Sequence, residues 1–285
     1  MKARHIEKIA KSLIWIGGII SVSLVLFIVF YVVVRGARAL NWDFFFGQPA
    51  VGTQIQGSIS ASLMSTLMLI AITMVILIPL GLGAAIYLAE YAPENWLTAS
   101  IRRSMELLAG VPSIIFGLFG FALLVLTLGL GYSVLAGALT LVCLLLPFMV
   151  RSAEESMKAV PQSLREGALA LGATKWQTVR HVVIPGAMPG IVTGIIFCIG
   201  GIFAESAPLI LTMGMTSATP TSPLDPGRPL AVEIYYRALY SVASPEEKAM
   251  IVSGIALVIV AIIVILNLLA RWIAGRLTAR MEGTR

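Results

Sequence analysis

The sequence predicts an all-α integral membrane protein with six transmembrane helices and one cytoplasmic helix-turn-helix. Three observations predict it. Of the 285 residues, 58% are hydrophobic and only 12% charged, with a mean hydropathy of +0.95, which leaves too little polar surface to cover a water-soluble globule. Uncharged runs long enough to cross a bilayer core, about 20 residues as helix, recur along the chain. Between two of them lies a polar island, residues 163–185, with helix-start and helix-stop signals of its own.

Residues 12–34 form the first span, after Lys2, Arg4, Lys8 and Lys11; 23 uncharged residues exceed the apolar core of a cleaved signal. Residues 59–88 form the second, interrupted by Pro79 and Gly81. No charge occurs from Leu107 to Val150, which accommodates two crossings, 111–128 and 132–150, joined at Gly129-Leu-Gly131-Tyr132. Residues 190–213 make the fifth, carrying Glu205. Residues 249–270 make the sixth, opened by Ser244 as a cap and Pro245 at the first helical position. Six spans put both termini on one side. With that side cytoplasmic, fifteen Lys and Arg lie inside and five (Arg35, Arg38, Arg228, Arg237 and Lys248) outside, the bias that sets orientation. The net charge of +6 is met by lipid headgroups at the inner surface and requires no nucleic acid.

The outer segment 214–247 begins with a Thr-, Ser- and Pro-rich stretch to Pro229, read as extended. Ala231 to Tyr240 then carries apolar and aromatic residues at helical spacing. This short external helix suits either an external binding protein or lipid headgroups, through Tyr235, Tyr236 and Tyr240.

In the polar island, Ser163 with Glu166 and Thr174 with Gln177 each have capping-box spacing. Gly172 can take the left-handed conformation that ends a helix. The segment is expected to form a short helix, a turn at Gly172 and Ala173, and a second helix stopped before Pro185. By periodicity alone, Leu164, Ala168 and Leu171 can equally pack such a hairpin onto the protein's own spans.

The spacing Glu166-Gly167-Ala168, Gly172, Val182-x-Ile184-Pro185 resembles the EAA loop of permease subunits in binding-protein-dependent ABC importers, with Gly167 in place of the usual alanine. The resemblance implies the type I ABC importer permease fold. It also implies coupling helices held in a cleft of a cytoplasmic ATPase, with Glu166, Gly167, Ala168, Leu171, Gly172, Ala173, Thr174, Trp176 and Pro185 as the residues that shape or make that contact. Ala204-Glu205-Ser206-Ala207-Pro208-Leu209-Ile210-Leu211-Thr212 is similar to a segment of the permeases of phosphate-specific importers. Tyr87-Leu-Ala-Glu90-Tyr91, the stretch from Ala109 through Pro112 and Ser113 to Leu118, and Leu266-Asn267-Leu268-Leu269-Ala270-Arg271 are similar at corresponding places. The partners so implied are a homologous permease subunit, two ATP-binding subunits and an external phosphate-binding protein, in the plasma or inner membrane of a prokaryote. Members of that group commonly carry arginine four residues before the acidic residue. Gly201 stands there in this chain, which leaves molybdate, tungstate or sulfate open as cargo.

An ionisable group inside a span costs at least about 2.5 kcal/mol and is normally paired or faces water. Glu205 is therefore a candidate for the translocation pathway, with Ser206 and Thr212 beside it, or for a structural bond to a neighbouring helix. Pro112 and Ser113 begin the third span, where free backbone N–H groups favour an anion; the proline equally serves to fix the entry geometry. A reading from another class is an ion-coupled secondary transporter with Glu205 as its ion site.

Enzymatic chemistry is not expected, nor a cofactor or metal. His5 and His181 show no ligand spacing, and Cys143 and Cys198 fall within spans. The run from Gly167 to Lys175 only imitates a phosphate-binding loop, because Ala173 and Thr174 separate the lysine from Gly172. ATP hydrolysis is assigned to separate chains.

Overall fold

The computed structural model describes residues 2–48 and 54–282; Arg285, counted with the inner charges, lies outside them. Four long helices, α1 (Lys2–Gly36), α3 (Ser60–Ile86), α6 (Val134–Lys158) and α12 (Pro245–Glu282), are each long and apolar enough to cross a membrane, as is the rod Lys175–Ala204. The short helix α2 (Trp42–Phe46) follows α1. There is no strand among the described residues.

The remaining crossing is bent. An amphipathic helix, α4 (Trp96–Ala109), meets α5 (Ser113–Gly120) and its π-helical continuation Phe121–Thr127 at 100°. The second piece, of 8 and 7 helical residues and roughly 22 Å long, falls within the third span read over 111–128, and the bend precedes it. The cause is Pro112, which is extended at ψ 135° and cannot continue the helix before it. α4 carries the first three residues of the uncharged run, Leu107–Ala109, and is held by Arg102 to the end of α6, where Arg102 Nη2 lies 2.8 Å from Glu154.

α6 is the hub. A β-carbon at Gly81 of α3 would strike Met149, and β-carbons at Gly190 and Gly194 of the fifth crossing would strike Ser156 and Ser152. Small residues at these crossings let the backbones approach closely, which in lipid is a main source of helix association. Leu69, Leu77, Leu141, Met149, Met157, Ile191, Ile202 and Leu209 fill the resulting core. At the far end of α6, Ser133 caps the helix by accepting from Ala136 N at 3.1 Å, and the carbonyls of Asp225 and Pro223 take the N–H groups of Val134 and Leu135. Gly129 and Gly131 make the preceding turn at φ +67° and +63°.

The outer segment folds as expected in one part and not in another. α11 (Leu230–Tyr240) forms where apolar periodicity places it, and Ser244 with Glu247 caps α12 in both directions, at 3.3 and 3.1 Å. Arg228 and Arg237, however, are not solvated external charges. Both are buried around Glu233, Ser62 Oγ donates to Glu233 Oε2 at 3.0 Å, and Arg237 donates to the carbonyls of Ile55, Gly57 and Ser58. Leu230 N adds a bond to Thr66 Oγ1 at 2.9 Å. The network clamps α11 onto the outer end of α3.

Candidate functional site

Two places carry the residues singled out by sequence. The first is the hairpin of α7 (Gln162–Ala170) and α8 (Lys175–Thr178). Gly172 closes the turn at φ +86°, with its N–H on Leu169 O and the Ala173 N–H on Ala168 O. Thr174 and Gln177 form the expected capping box: Gln177 N donates to Thr174 Oγ1 at 3.3 Å and Thr174 N to Gln177 Oε1 at 2.8 Å.

Two expectations for this hairpin fail. Ser163 caps nothing, because Pro161 at ψ 137° sets the entry and the helix begins at Gln162, which places Ser163 inside the first turn. Glu166 instead accepts from Gln162 Nε2 at 3.3 Å. Nor does the second helix stop before Pro185. α8 continues through a π turn, Val179–Val183, into α9 (Ile184–Ala204) as one rod. A π turn shifts the ladder to i→i+5, so carbonyls ahead of the proline find donors although Pro185 offers none.

The hairpin's apolar side chains are left largely open. α7 buries no residue, Leu171 is 91% exposed, and Leu164 and Trp176 are each about half exposed. Glu166, Gly167 and Thr174 are exposed as well; Ala168, Ala173 and Pro185 are half-buried. The surface left open is therefore an apolar ridge with a carboxylate beside it, suited to a partner's cleft. A β-carbon at Gly167 would meet nothing within 4 Å. Gly167→Ala is expected to stabilise α7 by up to about 1 kcal/mol and leave transport unchanged; thermal unfolding and uptake of the variant check both.

Sequence reasoning missed what holds the hairpin to the bundle. Arg165 donates to Glu90 Oε1 from Nε and Nη2, at 3.3 and 3.1 Å, and to the carbonyls of Val160 and Met157 at 2.5 and 2.7 Å. Glu90 lies in a π turn, Tyr87–Tyr91, that ends α3. No local signal links residues 75 positions apart; only the opposite charges at the ends of two predicted spans hinted at it.

The second place is a break in the fifth crossing. Glu205 is extended (φ −90°, ψ 127°) and ends α9; Ser206 precedes α10 (Ala207–Thr212), which opens with Pro208 in its first turn. Glu205 thus sits at a helix interruption rather than within a continuous span. Both Glu205 and Ser206 are half-buried, and Glu205 makes no ion pair or side-chain hydrogen bond among the described residues. Thr212 O accepts from Ser133 N at the outer end of α6, so Glu205 lies one α10 length, roughly 9 Å, inward of that end.

α5 and α10 run parallel in close contact, since a β-carbon at Gly117 would lie 2.6 Å from Pro208 Cα and one at Gly120 would strike Thr140 and Thr212. This arrangement sets Ser113, half-buried, and Pro112, exposed, toward the inner end of the pair, on the side of the break. Thr212 has no exposure, and its hydroxyl returns to Pro208 O at 2.8 Å, so it belongs to this packing and not to a lining. Gly201 faces Leu145, whose Cδ2 would lie 3.1 Å from a β-carbon. Among the described residues, no group of His, Cys, Asp and Glu is arranged to hold a metal.

These two features, an exposed hairpin continuous with a crossing and a break in that same crossing, belong to a multi-helix membrane component. A family model described as "Binding-protein-dependent transport system inner membrane component" matches residues 78–283, and the chain belongs to that family. It is a multi-pass transport component of an ABC importer rather than a catalyst, which implies ATP-binding and substrate-binding partners and another permease. The chain is 35% identical to the "Probable ABC transporter permease protein YqgI" of Bacillus subtilis, over 96% of each chain. It is 31% identical to the "Phosphate transport system permease protein PstA 1" of Mycobacterium tuberculosis (strain CDC 1551 / Oshkosh), covering 97% of this chain and 92% of that one. Among solved structures it is similar in fold to a permease of the MetNI methionine ABC transporter, with TM-score 0.52, 20% identity and 76% and 91% of the two chains covered. A bacterial ABC transporter involved in alginate import gives TM-score 0.57 at 14% identity, with 76% and 78% covered.

Proposed function

We propose that this permease forms half of the translocation pathway for inorganic phosphate, in an importer driven by two separate ATP-binding subunits. The observation that carries the reading is the broken crossing at Glu205 and Ser206, with an unpaired carboxylate in the segment that resembles phosphate-specific permeases. A half-buried carboxylate repels an anion unless a cation stands beside it. With glycine at 201, that cation comes from the homologous permease, a PstC-like chain. Pro112 and Ser113 contribute the neighbouring helix start. A PstS-like binding protein delivers phosphate to the outer segment, where Leu239, Tyr240 and Val242 are exposed near α11.

The exposed hairpin docks in PstB-like ATP-binding subunits through Glu166, Leu171 and Trp176; Gly172, Ala173 and Thr174 shape the turn, and Gly167, Ala168 and Pro185 its limbs. ATP binding moves the hairpin, and the bundle alternates between outward and inward access. Fifteen of twenty Lys and Arg on the hairpin side support cytoplasmic termini. Another oxyanion is the second reading, favoured by Gly201. Labelled-phosphate uptake tests the first: deletion of the chain is expected to abolish a high-affinity component, and Glu205→Gln to lower its rate about tenfold, equivalent to about 1.4 kcal/mol. Unchanged high-affinity uptake in the deletion strain removes phosphate as the cargo.

A further inference from the structure

We infer that the pocket between the hairpin and the ends of α3 and α6 is a site for the phosphate head of an anionic phospholipid. Its volume is about 450 Å³, within the range of about 300–1,000 Å³ found for ligand pockets. Lys158 at the end of α6, Arg165 of α7 and Lys175 at the start of α8 line it around a single carboxylate, Glu90, with Ala89 and Leu169 as its apolar wall.

The cations here outnumber the groups that neutralise them. Glu90 is engaged by Arg165 at 3.1 Å. Glu154, which Lys158 reaches at 2.8 Å, is shared with Arg102, also at 2.8 Å. Four cations thus face two carboxylates, an excess of two. Lys175 has no carboxylate within ion-pair reach among the described residues; its exposed ammonium lies 4.9 Å from the centre of the Tyr91 ring. An ammonium held there keeps N–H donors for a phosphate oxygen. A zwitterionic head would bring a further cation into the same excess, so the pocket favours a head with net negative charge.

The level of the pocket selects a lipid over a free phosphate. The uncharged run that begins in α3 ends at Ala89, directly before Glu90. Tyr87, Tyr91 and Trp96 are exposed around that point, and tyrosine and tryptophan at span ends settle at headgroup depth. α4 meets the crossing it joins at 100°, so it lies along the membrane plane, and Arg102 ties it to Glu154 beside the pocket. Basic pockets between crossing helices at this depth hold lipid heads.

The test purifies the full chain in mixed micelles of equal phosphatidylglycerol and phosphatidylcholine and counts retained lipid by native mass spectrometry. Bound phosphatidylglycerol is expected to exceed phosphatidylcholine about tenfold, as two unneutralised cations beside the head allow. Lys175→Glu, and Lys158→Gln combined with Lys175→Gln, should each bring the ratio to within about twofold. The unfolding midpoint should not move, since both side chains are exposed. Arg271→Gln removes an exposed cation of α12 outside the pocket and should leave the ratio at the parental value. Equal retention of the two lipids by the parent overturns the inference; if inorganic phosphate alone then raises the unfolding midpoint, the pocket belongs to the free anion. A preference that survives Lys175→Glu, or falls equally in Arg271→Gln, overturns it as well. Loss of the preference once ATP-binding subunits are assembled on the hairpin assigns these cations to that partner and overturns the lipid site.

Discussion

Arg237→Leu is expected to destabilise the protein by about 3–5 kcal/mol, the loss typical of breaking a buried ion pair from one side. Arg237 is 1% exposed and so is Glu233, and the guanidinium also donates to the carbonyls of Ile55, Gly57 and Ser58. Leucine removes every one of these donors at once. Three carbonyls at the entry to α3 are left buried without partners, each a desolvation cost of about 1–3 kcal/mol if water does not replace the donor. Glu233 retains Arg228 and the Ser62 hydroxyl, so the acid itself is not stranded. The damage therefore falls on the junction between α11 and the start of α3. Thermal unfolding in detergent measures it, together with proteolysis of the 54–59 segment, which should become accessible before the core melts. Arg228→Leu is the informative comparison. Its guanidinium stacks 4.1 Å from the Tyr236 ring and reaches Met215 O at 3.3 Å, but it bonds no part of α3. The two substitutions meet at Glu233, so the double variant should not be additive. A loss under about 1 kcal/mol for Arg237→Leu would show that the clamp is solvated and carries no load.

That clamp also marks where sequence stops being informative. Hydropathy locates the long crossings because lipid imposes a simple rule on every residue that faces it. Turn chemistry is equally local, and so Gly172 at φ +86° and the Thr174–Gln177 box are readable from five residues. Charge counting is not local in this sense. Arg228 and Arg237 are counted on the outer side, but whether they are solvated depends on Glu233 and on carbonyls more than 170 positions away. Pro185 misleads for a related reason: proline stops an α-helix, but a π turn just before it removes the conflict, and nothing in Val179–Val183 announces the wider turn. Ser163 loses its cap to Pro161, two residues upstream, since only one residue can set the entry. At the candidate pathway, Glu205 was legible as a candidate from its cost in lipid. Its position at a helix break was not, because Ala204-Glu205-Ser206 contains no glycine or proline and the break is produced by Pro208 opening the next helix. Thr212 looked like a lining hydroxyl only until the Gly120 contact placed it in the interior.

Leu171→Asp is expected to weaken association with the ATP-binding subunit by at least about 2 kcal/mol, or roughly 30-fold in affinity, as for the anchors of protein interfaces. Leu171 is the most exposed large apolar side chain of the described residues, at 91%, and it stands at the tip of the hairpin directly before Gly172. An isolated leucine in water needs no explanation. Here Leu164, Leu169 and Trp176 share the exposure on the same short hairpin, each about half open. A surface of that composition is stable in water only if something covers it, and the hairpin's own fold does not depend on Leu171. Its turn is set by Gly172 and its second limb by the Thr174 box. The substitution should therefore leave the permease folded, with an unchanged unfolding midpoint in detergent, while co-purification of the ATP-binding subunit collapses. Trp176→Ala, at the start of the rod that leads into the fifth crossing, should behave the same way with a smaller loss because the ring is only half exposed. If Leu171→Asp retained the subunit at parental affinity, the ridge would not be the docking surface. Measuring affinity and unfolding on the same preparation separates the two, since a docking defect lowers only the first.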